Sequence, residues 1–254
     1  EALGIARQQD WPIAPLTVAA EGELPGNAWW LRADPVHLQV MRDRIVLAGS
    51  EALALSREEA DALAASIGRH FGAELAPRTY HPQRWYLRYT DAPDLITTPL
   101  SYAIGRDIEP LLPQGRHATV FRSHINELQM LLHDHPVNQA REARGQLPVN
   151  SLWLWGGGRA PALLGNTPPV YTQHAAMQAL ATSCGAPTFP LPGRPTAQLL
   201  ATQGVVVLEA LTESGQIGDA WGWREAMRGL ERDWFVPLLR LLRKAGPQGI
   251  RLLD

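Results

Sequence analysis

The order of apolar and polar positions divides the 254-residue chain into segments of different period. Residues 1–28 carry Pro12, Pro15, Gly22, Pro25 and Gly26 without helical spacing and read as a loop segment. Ala28–Leu31 and His37–Val40 are short apolar stretches on either side of Asp34-Pro35, which suits two strands or a strand and a turn; Ile45–Ala48 is a further strand. Ser56-Arg57-Glu58-Glu59 has the form of a capping box. Ala60, Leu63, Ala64 and Ile67 then recur at helical spacing, which predicts a helix from about Arg57 to Phe71. Arg84–Tyr89 (RWYLRY) alternates and is aromatic, so it reads as a strand. Val120, Phe121, Ile125, Leu128, Leu131 and Leu132 predict a helix from about His117 to Asp134, closed by His135-Pro136, with a second, short helix starting near Val137.

Beyond Asn150 the pattern changes. Ser151–Trp155 (SLWLW) reads as a buried strand that the run Gly156-Gly157-Gly158 ends in a turn. Tyr171–Ser183 reads as helical, Gln198–Thr202 as a short helix and Gly204–Leu208 (GVVVL) as a buried strand. Trp221–Lys244 reads as a long helix interrupted near Pro237. Strands alternating with helices predict a mostly parallel sheet covered by helices, with a boundary near Gly145–Asn150 and no internal repeat.

Composition narrows the classes. With 45% hydrophobic residues the chain can bury a sizeable core, and a net charge of -2 argues against a protein that coats nucleic acid or an anionic membrane. No apolar run reaches the roughly 20 residues that span a bilayer, and no leader-like segment opens the chain, so a cytoplasmic protein is expected. Residue 1 is Glu rather than Met, which allows for an earlier start of the natural polypeptide. The lone Cys184 excludes an intrachain disulfide and a thiolate zinc cluster. Lys244 is the only lysine, so anion contacts would fall to arginine.

Local chemistry is sparse. Gly156–Gly158 follows a strand as phosphate-cradling loops do, but no Walker lysine or dinucleotide spacing accompanies it, and a tight turn is the preferred reading. His117, His124, His133 and His135, with Glu127 and Asp134, could gather around a metal only if the helix ended between the last two histidines; scattered caps and surface histidines are preferred. No nucleophile elbow or HExxH helix is present. The densest set of anion-binding and turn-fixing residues is His135-Pro136-Val137-Asn138 with Arg141, Gly145, Pro148 and Asn150.

That stretch, HPVNQAREARGQLPVNSLWLWGGG (135–158), resembles a segment of the archaeal-type, cofactor-independent phosphoglycerate mutases of the alkaline phosphatase superfamily. Arg32, the Arg44–Gly49 strand and turn, and Ser56–Ala60 are similar to that family's inserted domain; His81–Arg88 is similar to its His-Arg strand, and 204–234 to the strand, loop and helix returning to its core. The resemblance implies an α/β fold: a mostly parallel, phosphatase-like core half over 146–254, an inserted smaller α/β domain over 29–145, and the loop segment 1–28. It makes Arg84, His135, Asn138, Arg141 and Asn150 the candidate substrate-binding residues, with Arg84 and Arg141 replaceable without loss of the fold. In the family two divalent metals activate a serine that carries the phosphoryl group.

The chain departs from that pattern where the chemistry sits. Gln83 replaces the histidine of the His-Arg strand, and Thr212-Glu213-Ser214-Gly215-Gln216 puts Gln216 where a metal-binding histidine belongs. Thr98-Pro99 stands for Asp-Pro, Trp155 for an arginine, and no Gly-Asp-His segment or serine nucleophile segment is found. Gln is a poor ligand for Mn or Zn. The expectation is a degenerate homologue without metal or cofactor that binds a small phosphorylated metabolite or regulates, and binds no nucleic acid or membrane. The alternatives are an active mutase or phosphatase, with Mn or Zn, whose ligands lie outside these residues, and a protein-interaction module built on Trp221-Gly222-Trp223.

Overall fold

A computed structural model describes residues 5–48, 50–162, 167–245 and 250 of the chain. The chain parts into two compact units, with the division after Ala162. In the first lie α1 (Ile13–Ala20), β1 (Trp29–Val40), β2 (Ile45–Ala48), α2 (Ser50–Leu53), α3 (Arg57–Phe71), β3 (Arg78–His81) and β4 (Arg84–Tyr89). These are followed by α4 (Leu100–Ala103), α5 (Ala118–His133), α6 (Pro136–Ala143) and β5 (Ser151–Arg159).

The strands of the first unit form one antiparallel sheet in the order β2-β1-β4-β3, with β5 also paired to β1. Alternation along β1 sends Trp29, Leu31 and Ala33 to one face. There they meet Trp85, Leu87, Leu152 and Leu154 beneath Leu63 and Ile67 of α3 and Phe121, Leu128 and Leu132 of α5. The other face carries two apolar clusters: Trp30 and Tyr86 under Ala14 and Val18 of α1, and Val36, Leu38, Leu47 and Trp153 with Leu100 and Ala103 of α4. Trp29, Trp30, Trp85 and Trp153 are thus all buried in the first unit.

Several sequence-based boundaries move. Residues 1–28 are not all loop: α1 forms because Pro15 falls at its third position, where the missing N–H is one the helix leaves unpaired anyway. β1 runs through Asp34-Pro35 without a break. Pro35 faces Leu152 of β5, and on the opposite edge it falls after β4 stops at Arg32 and before β2 begins at His37, so no ladder bond is lost there. β5 continues through all three glycines to Arg159, pairing Gly158 with Trp30 and Arg159 with Trp29. The domain division therefore falls after Ala162 and not near Gly145–Asn150, because β5 belongs to the sheet of the preceding unit.

The second unit holds β6 (Val170–Tyr171), α7 (Ala175–Ser183), β7 (Thr188–Phe189), α8 (Ala197–Ala201), β8 (Val205–Val206), α9 (Thr212–Ile217), α10 (Ala220–Leu230) and α11 (Val236–Ala245). Its strands form a parallel sheet, β7-β6-β8, of two residues each, over a small core of Val170, Ala181 and Ala186. Among the described residues the parallel sheet predicted from the sequence is thus present in this unit and in short form; Tyr171 lies in a strand rather than at the start of a helix. Between α10 and α11 the helix widens at Glu231–Phe235, where Val236 N–H donates to Glu231 O five residues back. Pro237, which has no N–H to give, follows at once. Among the described residues no helix is long and apolar enough to cross a membrane.

Candidate functional site

Four of the five candidate residues turn their polar atoms onto the chain itself. Asn138, 1% exposed, donates through Nδ2 to Leu132 O (2.8 Å) and Val149 O (2.7 Å), and its Oδ1 accepts from Val149 N (2.9 Å). Arg141 is fully buried. Its Nε donates to Leu147 O (2.9 Å), one terminal nitrogen to Glu59 Oε2 (2.6 Å) and the other to Leu53 O. Asn150 prolongs β5 with its side chain, accepting from Leu38 N (2.7 Å) and donating to Leu38 O (2.9 Å) as a strand residue's peptide would. His135 caps α6 by accepting from Val137 N at Nδ1 and meets Ser66 Oγ at 2.9 Å through Nε2. Burial, and then Arg69, holds its imidazole below the ordinary histidine range.

Arg84 differs. It opens β4, its side chain is 40% exposed, and its Nε donates to Glu21 Oε1 at 2.5 Å. Beside it His81, at the end of β3, accepts from Gln83 N; burial lowers its pKa, and the charges of Arg84, Arg32 and Arg57 push the same way against Glu21. The β3–β4 turn therefore places Arg84, with Arg32, Arg57 and Glu21 near it, around one imidazole.

Beneath this turn lies a buried ion pair outside the set of five. Arg32 and Asp34 project from the same face of β1, where alternation places Trp30 as well. Arg32 donates to both Asp34 oxygens (2.7 and 2.8 Å). Trp85 N–H and Trp155 Nε1–H complete the shell of the carboxylate at 3.2 and 2.8 Å. The guanidinium stacks on Tyr86 and on Trp155, 5.0 and 5.1 Å from their ring centres. Burial alone would pull the Arg32 guanidinium down, but Asp34, Tyr86 and Glu21 together outweigh it and hold the group above its usual value. The Tyr86 hydroxyl, close to Thr17, is buried without a hydrogen-bond partner of ordinary geometry, and burial raises its pKa. The signal for this pair in the sequence is two charged residues at period two inside the otherwise apolar run 29–36.

The other motifs resolve into packing. The three glycines are required by packing and backbone: a β-carbon at Gly157 would run into the Trp29 ring, one at Gly158 would meet Pro12 Cβ at 2.6 Å, and Gly156 has φ +68°. His117 accepts from Asp94 N, His124 pairs with Glu74 (3.1 Å), and His70 pairs with Glu127 (2.6 Å). Among the described residues no three His, Cys, Asp or Glu side chains converge as metal ligands, and Thr212–Gln216 lie within α9. An open concavity of about 360 Å³ at the β1–β2 turn, lined by Val40, Met41, Asp43, Arg44, Ile45, Asp107 and Glu109, includes none of the five candidates. Trp221 and Trp223 of α10 are 72% and 42% exposed.

With this geometry in hand, the chain is similar to phosphoglycerate mutases that need no bisphosphoglycerate. The 2,3-bisphosphoglycerate-independent phosphoglycerate mutase of Methanosarcina barkeri is 31% identical over 154 residues, 58% of this chain and 37% of its own. A probable 2,3-bisphosphoglycerate-independent phosphoglycerate mutase of Geobacter sulfurreducens is 39% identical over 59 residues, 23% of this chain and 15% of its own. The solved cofactor-independent phosphoglycerate mutase of Thermoplasma acidophilum superposes with a TM-score of 0.45 at 19% identity, covering 91% of this chain and 69% of that one. No protein-family model matches the chain. The resemblance read from the sequence is thus borne out by homologues of that name, of which the chain spans well under half the length.

Proposed function

We propose that the chain is a degenerate phosphoglycerate mutase homologue of the cytoplasm that binds a small phosphorylated metabolite at the β3–β4 turn without carrying out metal-dependent phosphoryl transfer. One observation carries the reading: of the five candidate residues, Arg84 alone keeps its guanidinium partly at the surface while the other four serve the fold. Gln216 in place of a histidine supports the loss of the metal centre. The ligand would be held by Arg84, with His81 and the charges of Arg57 and Arg32 nearby.

The chain's span of 37% or less of these mutases favours a second reading, an active mutase or phosphatase whose metal ligands and nucleophile lie elsewhere in a longer polypeptide. A thermal-shift titration with 2- and 3-phosphoglycerate, with and without Mn, followed by a coupled mutase assay, separates the two. A ligand that binds only the folded state must raise the melting point. Stabilisation without metal or turnover, lost in Arg84→Ala, is expected; turnover that depends on Mn would establish the second reading, and no shift under any condition would remove the site.

A further inference from the structure

The neighbourhood of the β3–β4 turn is neutral by pairing. Arg32 faces Asp34, Arg57 faces Asp61 at 2.8 Å, Arg78 faces Glu23 at 3.9 Å, and Arg84 faces Glu21 at 2.5 Å. An anion gains little from a cation that is already matched, and at Arg84 it can dock on Nε only if Glu21 steps aside. The four are not equally held. Asp34 is buried and accepts from Arg32, Trp85 and Trp155. Asp61 is bound by Thr79 Oγ1 as well as by Arg57. Glu23 stands at the far limit of an ion pair and leaves its arginine largely unmatched already. Among the described residues Glu21 has Arg84 Nε as its hydrogen-bond partner.

Position adds to this asymmetry. Glu21 is the C-cap of α1, where the helix already presents its negative end, so a carboxylate there gains nothing from the helix itself. The next residue, Gly22, has φ +90°, and the chain turns away immediately. The nitrogen that Glu21 occupies also matters. A guanidinium grips a phosphate side-on through Nε and one terminal nitrogen, and Nε is the atom taken.

We propose that Glu21 is a resident carboxylate that fills the oxyanion position on Arg84 and is displaced when a phosphate monoester binds, which makes Glu21 a determinant of affinity. This inference rests on the binding reading above. It is tested by isothermal titration of 3-phosphoglycerate and of inorganic phosphate into the wild type, Glu21→Gln, Glu21→Asp and Glu23→Gln. The last removes one negative charge from the same neighbourhood without touching Arg84 Nε, and melting curves check the fold of each variant.

Glu21→Gln is expected to bind both anions about three- to tenfold more tightly, on the order of what releasing a partly exposed ion pair provides. Glu21→Asp, with its charge withdrawn by one methylene, should gain less, Glu23→Gln should gain least, and adding Arg84→Ala to Glu21→Gln should abolish the gain. Equal affinities for the wild type and both Glu21 variants, or equal gains in Glu21→Gln and Glu23→Gln, would overturn the role of Glu21 while leaving the site in place. Absence of binding by the wild type and by Glu21→Gln alike would overturn the site and this role together.

Discussion

Arg141 and Glu59 show how much a single side chain of the HPVN stretch is asked to do. Glu59 closes the capping box of α3 with Ser56, and its carboxylate also receives Arg141 (2.6 Å) and Arg144 (2.5 Å), so a helix cap doubles as the anchor of α6. Arg141→Ala would take one of three donors from that carboxylate and leave the carbonyls of Leu53 and Leu147 without the guanidinium. A loss of about 3–5 kcal/mol in urea unfolding is expected, as when one partner of a buried pair is removed. The sequence-based expectation that Arg141 could be replaced with the fold intact is therefore revised. Burial would raise the Glu59 carboxyl, but the Ser56 amide and Arg141 outweigh it and leave the group below its usual range. A carboxyl depressed by folding contributes stability above its unfolded value of about 4.3, and that contribution fades as the pH falls through the lower folded value. Glu59→Gln should consequently destabilise the protein at pH 7, by an amount that shrinks as the pH falls below the ordinary carboxylate range, read from urea midpoints across the acid range.

At the scale of elements, legibility followed the strength of local rules. The helix at Arg57–Phe71 was readable to the residue because Ser56 and Glu59 announce its start; Ser56→Ala should cost about 1 kcal/mol by urea unfolding. The helix at 118–133 and the strand RWYLRY were readable for equally local reasons, three-to-four spacing and aromatic alternation. Three glycines in β5 were not, because glycine ordinarily ends a strand and the requirement for it here lies in Trp29 and Pro12, more than a hundred residues away. Gly157→Ala should therefore destabilise by about 1–3 kcal/mol, measured by thermal melting, as overpacked cores do. The site was legible in the same partial way. The sequence marks Asn138, Arg141 and Asn150 as unusual, yet polarity does not say whether a side chain faces a ligand or a backbone carbonyl, and only the position of Leu38, Leu53, Leu132 and Val149 decides it.

For the whole molecule the contrast between the two units is one of core size. The first unit has a continuous apolar layer on one face of a five-stranded sheet and two further clusters on the other. The second rests two-residue strands on Val170, Ala181 and Ala186, with Cys184, Leu230 and Trp234 also buried. Amide exchange should accordingly be slowest in β1, β4 and β5 and faster by orders of magnitude in β6 and β8, because opening free energies scale with the apolar surface that opening exposes. Comparable protection in the two sheets would contradict this picture.

The placement of the tryptophans gives the first unit a built-in optical label. Indoles held away from water, as at Trp29, Trp30, Trp85 and Trp153, emit to the blue and are out of reach of iodide, whereas those at Trp221 and Trp223 emit to the red and are open to collision with it. A fluorescence titration with denaturant, read as a shift from blue to red, therefore follows chiefly the loss of the first unit, with Trp234 the buried indole of the second.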